Sequence, residues 1–326
     1  MTVNLLSQGA SITGMTVHLA GRSRDVVLGY AQAEDYASDP FYMGATVGPA
    51  ASRLRDGKFS IAGESFAINV NEVARSNLLH GGASGLHQQT FEPAHRRNDS
   101  SLEMSLKLAH LEDGFPGDRT ITVRYVLVDP LSLQIDFFAT TSQPTILNLA
   151  SHPYFNLGGP LSEHELKVNA KAFSEVDDRL LPTGALHSVV GTTLNFQDWR
   201  KLDNTPIDRN FVLSEHSTLR HAASLRLASS NLQLDLLTTQ AALQIYTGDD
   251  LSAPFTPRAG ICMEAQGFPD APNQATAPSI DLIPGQIYRH KTLYRFGHIA
   301  EKWSRPFNSS ENRARPTKGK TRAYRC

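Results

Sequence analysis

The sequence predicts an all-β protein: one large antiparallel β-sandwich with few short helices. Three observations support this prediction. Apolar and polar residues alternate with a period of two along several segments, turn-forming residues separate these segments at short intervals, and a sustained period of 3.6 is nearly absent. Such alternation is typical of strands that bury one face, and many strands with regular turns between them are typical of sandwiches.

The alternation is clearest in three segments, in which every second side chain is apolar. These are SLEMSLKLA (101–109, with Leu102, Met104, Leu106 and Leu108), SLQIDFFAT (132–140, with Leu133, Ile135, Phe137 and Ala139) and NLQLDLL (231–237, with Leu232, Leu234 and Leu236). The segments TITVRYVLV (120–128) and ELKVNAKAF (165–173) are rich in strand-forming residues as well. We therefore expect strands in all five, with the alternating segments half-buried.

Clusters of Gly, Pro, Asp and Ser separate the predicted strands. They read EDGFPGD, VDPLS, LGGPLS, LLPTG, SAPFTPRAG and LIPGQ. These clusters favour turns, because Pro presets the backbone for a turn and Gly adopts positive φ without a steric penalty. The segment NFQDWRKL (195–202) is expected to form a short helical turn.

The 326 residues contain no internal repeat and no convincing linker, so the sequence predicts one domain over residues 1–304. The last segment, 305–326, carries seven Lys or Arg against one Glu and few apolar residues. We expect a solvated basic tail outside the domain. Contact with a subunit or with nucleic acid is the alternative for this tail.

The composition indicates which binding partners and which cellular compartment to expect. The formal net charge of −1 gives the whole chain no strong field for nucleic acid or anionic lipid. The chain has no apolar run of about 18 residues, so no membrane span is expected. Two Cys and an N-terminus without signal-peptide character predict a cytoplasmic protein. A monomer or a homodimer is expected.

Four segments place a titratable side chain among apolar residues. They are NLLHGGASG (77–85) with His80, NLASHPYFNLGG (148–159) with His152, TPIDRNFVL (205–213) with Asp208, and GICMEAQGFPDAPN (260–273) with Glu264. A carboxylate in an apolar strand needs a partner or a raised pKa, so Glu264 is the strongest anomaly.

Structural alternatives stay open for the other three residues. His80 could be an exposed turn residue, His152 a packed histidine and Asp208 a turn cap. Together with Glu264 they suit acid–base chemistry on a neutral polar molecule. No motif for a phosphate loop, a zinc site or an activated Ser or Cys nucleophile occurs, so neither a metal nor a cofactor is expected.

Several of these segments, in this order, resemble motifs of the aldose 1-epimerase (galactose mutarotase) family. DVVLGYAQAEDY with FYMGATVG is similar to its opening segment, NLLHGG to N-x-LHGG, and EDGFPGD to G-[YF]-PG. NLASHPYFNLGG resembles N-L-x-x-H-x-YFNL-x-G, and GICMEAQGFPDAPN resembles G-[IV]-x-x-E-x-Q-x-[FY]-PDAxN. The resemblance runs from about Asp25 to about Tyr294 and implies the large β-sandwich of that family, in agreement with the alternation.

The resemblance implies a function and a set of roles. The family interconverts α and β anomers of a free aldohexose such as galactose or glucose, by opening and reclosing the sugar ring without a cofactor. Glu264 is similar to its base, ionised at rest, and His152 to its acid, protonated at rest; His80 resembles the histidine that steadies charge near the ring oxygen. The implied sugar contacts are Arg53, Asp208, Gln244 and Ser52. Tyr154 and Phe268 are candidate apolar walls for the sugar, and core packing is the alternative for each.

The chain departs from the family pattern at some positions that concern sugar recognition. Pro49 stands in place of an Arg, Ser52 in place of an Asn, and Arg209 in place of a His. Two rival functions therefore remain: a 1-epimerase for a sugar phosphate such as glucose 6-phosphate, served by Arg53, Arg75 and Arg209, and a carbohydrate-binding or regulatory protein without turnover.

Overall fold

The computed structural model describes residues 1–93, 100–213 and 218–299. The strands are β1 (Thr2–Leu6), β2 (Ser11–Leu19), β3 (Arg22–Asp25), β4 (Thr46–Val47), β5 (Arg53–Arg55), β6 (Lys58–Ile61), β7 (Glu64–Ala67), β8 (Asn77–Leu79), β9 (Glu92–Pro93), β10 (Ser101–Leu108), β11 (Arg119–Asp129), β12 (Ser132–Thr141), β13 (Thr145–Ile146), β14 (Ala150–Ser151), β15 (Tyr154–Phe155), β16 (Glu165–Val168), β17 (Ala172–Val176), β18 (Pro182–Ser188), β19 (Arg200–Lys201), β20 (Asp208–Val212), β21 (Arg220–Leu227), β22 (Leu232–Thr238), β23 (Ala242–Tyr246), β24 (Ile261–Gln266), β25 (Asp281–Leu282) and β26 (Tyr288–His298).

Helical structure in these residues consists of short 3₁₀ segments, at Ala33–Ser38, Val73–Arg75, Leu86–Gln88, Leu161–Glu163, Ala228–Ser230 and Ala271–Asn273. Across the same ranges, no helix has the length and apolar character that a membrane crossing requires. The basic tail predicted at 305–326, and the domain boundary before it, lie outside the described residues.

Two large antiparallel sheets form the sandwich, as the alternation predicts. One has nine strands in the order β19-β16-β21-β22-β26-β12-β11-β10-β9, and the other has six in the order β15-β24-β23-β20-β17-β18. A three-stranded sheet (β1-β2-β3) and four two-stranded ribbons (β13-β25, β14-β4, β5-β8 and β6-β7) complete the described strands. The predicted all-β fold with few short helices is confirmed.

One buried core joins the two large sheets. Ile135 and Leu234 of the nine-stranded sheet pack in the same apolar cluster as Phe211, Leu243 and Met263 of the six-stranded sheet. Burying apolar surface of this kind is the main favourable term in folding. The core therefore fixes which face of each sheet points inward and which points outward.

Strand β12 is buried on both faces, which goes beyond the half-buried strand that alternation predicts. Its outward-facing Asp136 lies opposite Arg124 on β11 and Lys291 on β26. The carboxylate forms ion pairs with both, at 2.7 Å and 3.5 Å. Long side chains from the neighbouring strands thus cover the polar face, because directly opposed residues of adjacent strands lie close together.

The segment ELKVNAKAF forms strands as predicted, and one other local expectation from the sequence is wrong. The segment ELKVNAKAF divides into β16 in the nine-stranded sheet and β17 in the six-stranded sheet, so the chain changes sheets between them. The segment NFQDWRKL forms no helical turn. It places Phe196 in the core, sets Trp199 under the Arg226 guanidinium and ends in β19, which pairs with β16. Pairing and burial outweigh the weak local helix preference here.

The turn after β24 fastens strand β5 to the six-stranded sheet. The Asp270 amide donates to the Arg53 carbonyl at 2.9 Å, and the Asp270 carboxylate accepts from the Arg55 amide at 2.9 Å and from Asn273 Nδ2 at 2.6 Å. Asp270 is buried and has a left-handed backbone, with φ of 52°. This one residue therefore sets the position of Arg53 relative to the strand that carries Glu264.

Replacing Asp270 with Ala should lower the free energy of unfolding by about 1–2 kcal/mol, because the part-buried Arg55 amide and the Asn273 side chain lose a charged acceptor. Urea denaturation measures the change. Asp198→Ala is the matched control, since the Asp198 side chain is fully exposed, and it should leave the urea midpoint in place. Equal midpoints for Asp270→Ala and wild type would contradict the fastening role.

Candidate active site

A pocket of about 150 Å³ lies on the face of the six-stranded sheet that points away from the core. Eight of the predicted site residues line it: Ser52, Arg53, His80, His152, Tyr154, Asp208, Gln244 and Glu264. They come from six strands or strand ends that are distant in sequence. The structure therefore brings the proposed acid–base residues and sugar contacts to one place.

Strand alternation explains how a carboxylate comes to lie inside an apolar strand. On β24 the side chains of Ile261, Met263 and Ala265 join the core, while Cys262 and Glu264 point to the opposite face. Both faces of this strand are buried. The run ICMEA thus reads as apolar throughout although one of its faces belongs to the pocket.

His152 and Glu264 form the centre of the pocket. The Nε2 atom of His152 lies 3.5 Å from Oε1 of Glu264, and the two residues are only 3% and 2% exposed. The second carboxyl oxygen of Glu264, Oε2, is buried and has no hydrogen-bond partner in the described protein. A polar atom of this kind is rare in a protein interior and commonly marks a place where a ligand binds.

Burial drives the pKa values of this pair in opposite directions. Desolvation, with a further contribution from the Asp208 charge, raises the pKa of Glu264 to about 8, although the Arg53 charge opposes the shift. Desolvation lowers the pKa of His152 to about 4. Since the two groups are in contact, these pKa values belong to the pair, which holds one proton between about pH 4 and pH 8.

The pKa shifts of the pair run opposite to the resting protonation that the resemblance implies. That expectation has Glu264 ionised and His152 charged at rest. Burial instead favours a protonated Glu264 and a neutral His152 near pH 7, because a dry site disfavours both charges. The pair still contains the single transferable proton that acid–base chemistry needs.

The segment around His152 holds its ring in place through the backbone. His152 lies between the short strands β14 and β15, and its amide and carbonyl bond to the Ala45 carbonyl and the Gly44 amide at 2.9 Å and 3.0 Å. The Cys262 sulfur lies 3.5 Å from Nδ1. The His152 ring is packed against other rings, and its Nε2 atom faces the Glu264 carboxyl group.

His80 is a second buried imidazole, not an exposed turn residue. Its Nδ1 atom accepts a hydrogen bond from the Ser52 amide at 3.1 Å, and its ring meets the His152 ring edge-on at 5.2 Å. Burial and the neighbouring His152 keep the pKa of His80 well below 6.5. A neutral His80 therefore carries its proton on Nε2 and acts there as a hydrogen-bond donor.

The composition of this cluster raises the question of a metal ion. Ligand atoms of His80, His152 and Glu264 lie within 4.8 Å of one another. The Ser52 amide, however, occupies the lone pair of His80 Nδ1, which leaves a proton and not a lone pair on Nε2. With this tautomer, His80 Nε2 can donate a hydrogen bond to a substrate oxygen but cannot bind a metal ion. The expectation of a metal-free site stays a prediction.

Strand register brings the polar contact residues next to the pair. Gln244 on β23 lies directly opposite Glu264 on β24, and Asp208 begins β20 beside them. Gln244 Nε2 donates to Asp208 Oδ1 at 2.5 Å, and Arg53 Nη1 donates to Asp208 Oδ2 at 3.2 Å. The buried Oε1 of Gln244 has no hydrogen-bond partner among the described residues. It is therefore a second polar atom that a ligand could satisfy.

Three non-glycine residues at the pocket have left-handed backbone conformations. Tyr42, Ser52 and His80 all line the pocket and have positive φ values of 57°, 60° and 54°. Gly81 follows with φ of 88°, and a Cβ there would lie 2.0 Å from the Gly48 carbonyl oxygen, which explains the Gly after His80. Non-glycine residues in this region of φ are uncommon and cluster at functional sites.

The structure adds residues to the pocket that the sequence analysis missed. Glu72 binds Arg53, and the Tyr42 ring lies 4.6 Å from the His80 ring and 6.0 Å from the His152 ring. Tyr42 belongs to a recognised motif, but Glu72 has no local sequence signal. Phe268, a candidate sugar wall, instead lines a separate apolar groove.

Residues 1–295 match the family described as aldose 1-epimerase. Galactose mutarotase from Mus musculus is 34% identical over 316 residues, covering 91% of each chain. Aldose 1-epimerase from Escherichia coli (strain K12) is 31% identical over 328 residues, covering 92% of this chain and 93% of the relative. The solved structure of an aldose epimerase homologue from C. elegans is similar with a TM-score of 0.85 at 28% identity, covering 91% of this chain and 95% of that one. Because the match extends over nearly the whole described chain, this protein belongs to the aldose 1-epimerase family of isomerases.

Proposed function

We propose that the protein interconverts the α and β anomers of a free aldohexose of the galactose or glucose type. The observation that carries the proposal is the buried His152–Glu264 pair, 3.5 Å apart, with one proton shared between its two groups. Opening a hemiacetal requires one group that accepts a proton from the O1 hydroxyl and one that donates a proton to the ring oxygen O5. This pair supplies both groups.

In the proposed reaction, Glu264 takes the O1 proton and His152 gives its Nε2 proton to O5. The C1–O5 bond breaks and leaves an open-chain aldehyde, with Glu264 protonated and His152 neutral. Rotation about C1–C2 presents the other face of the carbonyl, and closure reverses both transfers. His80 donates its Nε2–H to the oxygen that gains charge, in the manner of an oxyanion donor.

The ring-opened state corresponds to the protonation that burial favours in the pair. The cyclic sugar instead requires the charged form, Glu264 ionised and His152 protonated. Sugar hydroxyls and the His80 N–H provide hydrogen bonds that offset part of the desolvation penalty of that form. The site therefore needs no metal and no covalent intermediate for the step.

Polar side chains that line the pocket beside the His152–Glu264 pair supply contacts for sugar hydroxyls. Asp208, Gln244, Arg53 and Ser52 are proposed to bind them, and the Tyr154 ring, 5.1 Å from the His152 ring, forms one wall. Arg53 already pairs with Asp208 and with Glu72, which favours a neutral sugar over a sugar phosphate.

The cytoplasmic location and the monomeric or homodimeric state belong to the same proposal. Cys262 is a buried free thiol, which agrees with a reducing compartment.

Polarimetry tests the function directly. The protein should accelerate the decay of optical rotation of freshly dissolved α-galactose or α-glucose, and Glu264→Gln should reduce kcat by at least about 10²-fold, the usual contribution of one proton transfer. Glu175→Gln is the control, because Glu175 is an exposed carboxylate outside the pocket, and it should retain full activity. Sugar binding by calorimetry without rate enhancement would instead indicate a binding protein.

The same Glu264→Gln variant should be more stable than wild type at pH 7, by about 1–3 kcal/mol, because ionising a buried carboxyl group costs free energy. The folded pKa of about 8 lies above the ordinary value of 4.5, so the carboxyl favours folding below pH 4.5 and loses that advantage as the pH rises to 8. Urea denaturation measures this difference in the free energy of unfolding. It should be absent at pH 4.5 and maximal above pH 8. A variant that is less stable than wild type at pH 8 would contradict the raised pKa of Glu264.

The pH profile of kcat/KM should be bell-shaped, with limbs near pH 4 and pH 8. Below the first limb both groups are protonated and the base is lost; above the second both are deprotonated and the acid is lost. Asp208→Asn removes a charge that raises the pKa of Glu264, so it should move the basic limb to lower pH whatever its effect on binding. A flat profile from pH 5 to 9 would rule out this pair as the acid and base.

A further inference from the structure

Glu72 is the most heavily bonded carboxylate at the pocket, and the reaction proposed above does not use it. Its oxygens accept from Arg53 Nε and Nη2 at 3.0 Å each, from Arg75 Nη1 at 2.9 Å and from Asn77 Nδ2 at 2.8 Å. The Glu72 side chain is only 11% exposed and lines the pocket. A carboxylate that binds a guanidinium through two parallel bonds is strongly held.

The local backbone prevents this carboxylate from turning away. Glu72 precedes the 3₁₀ segment Val73–Arg75, and its amide and carbonyl both pair with Asn77 across a tight loop. Arg179 closes the loop from outside, because its guanidinium donates to the Arg75 and Ser76 carbonyls at 2.7 Å and 2.6 Å. The negative charge of Glu72 is therefore a fixed property of the pocket wall.

This charge satisfies both guanidinium groups that line the pocket. Arg53 lies between Glu72 and Asp208, and Arg75 forms its one ion pair within the described residues with Glu72. Two cations thus face two carboxylates, and Asp250 at the rim adds a further negative charge. An anionic ligand would meet no unpaired cation here and would meet fixed negative charge.

We propose that Glu72 is a specificity-determining residue that excludes anionic sugars, namely sugar phosphates and sugar acids, and keeps the site selective for neutral aldoses. The inference rests on the proposed function and extends it to substrate class. Proteins commonly gain specificity by disfavouring the wrong ligand. Here the guanidinium donors are already paired, and the fixed negative charge repels an anion. In the same arrangement Glu72 positions Arg53 for a neutral hydroxyl.

Glu72→Gln tests the proposal, because Gln keeps the shape and an oxygen acceptor but removes the charge. Inhibition of galactose mutarotation by glucose 6-phosphate should become at least about tenfold stronger than in wild type, since Arg75 loses its ion pair and Arg53 keeps only Asp208. The KM for free galactose should rise as the Arg53 side chain loosens. Added salt should weaken the new inhibition, as expected for exposed charges.

Two further variants separate charge from shape. Glu72→Asp retains the charge and should still exclude glucose 6-phosphate, while Glu175→Gln removes an exposed carboxylate elsewhere and should behave as wild type. If Glu72→Gln fails to fold by circular dichroism, Arg75→Gln serves in its place. It makes the pocket more negative and should weaken inhibition by glucose 6-phosphate below that of wild type.

The outcomes distinguish this inference from the function on which it rests. If wild type accelerates mutarotation but Glu72→Gln discriminates against glucose 6-phosphate as strongly as wild type, the role of Glu72 is wrong and the function remains. If wild type does not accelerate mutarotation, the function is wrong. Calorimetric titration of both proteins with glucose 6-phosphate then tests the exclusion alone, and equal affinities would overturn it.

Discussion

The candidate active site depends on one constraint: a carboxyl group and an imidazole lie together in a place too dry for either charge. Burial raises the pKa of Glu264 and lowers the pKa of His152, so the neutral form of the pair is favoured. In the proposed reaction this neutral form is the one that accompanies the open-chain aldehyde. Desolvation therefore favours the reactive intermediate, whereas an exposed pair would favour the cyclic sugar.

The fold provides this dry site by using both faces of one sheet. The six-stranded sheet packs one face on the core and places Glu264, Gln244 and Asp208 on the other. Loops then cover that second face, and they carry His80 and Ser52 in left-handed backbone conformations. The hydrogen bond from the Ser52 amide to His80 offsets part of this strain and fixes the tautomer of His80 at the same time.

Much of this structure follows from the sequence, and the remainder depends on long-range packing. Alternation predicts the strands because period two is a local property, and ordered motifs predict the eight pocket residues. Resting protonation is not predictable in this way, since it depends on how completely other strands bury His152 and Glu264. Glu72 also escapes detection, because its partner Arg53 is 19 residues away and its loop has no periodicity. NFQDWRKL shows that strand pairing overrides a weak local preference.

Specificity and proton chemistry are coupled through Arg53. Its charge favours the ionised form of Glu264, whereas the charge of Asp208 opposes that form. Glu72 and Asp208 both pair with Arg53 and so reduce the field that Arg53 exerts on the Glu264 carboxyl group. Because interactions between charges are strong in a buried site, removing the Asp208 charge should change the proposed sugar contacts and the pKa of Glu264 together. The charged residues of this pocket therefore act together, since the residues proposed to contact the sugar also affect the protonation of Glu264.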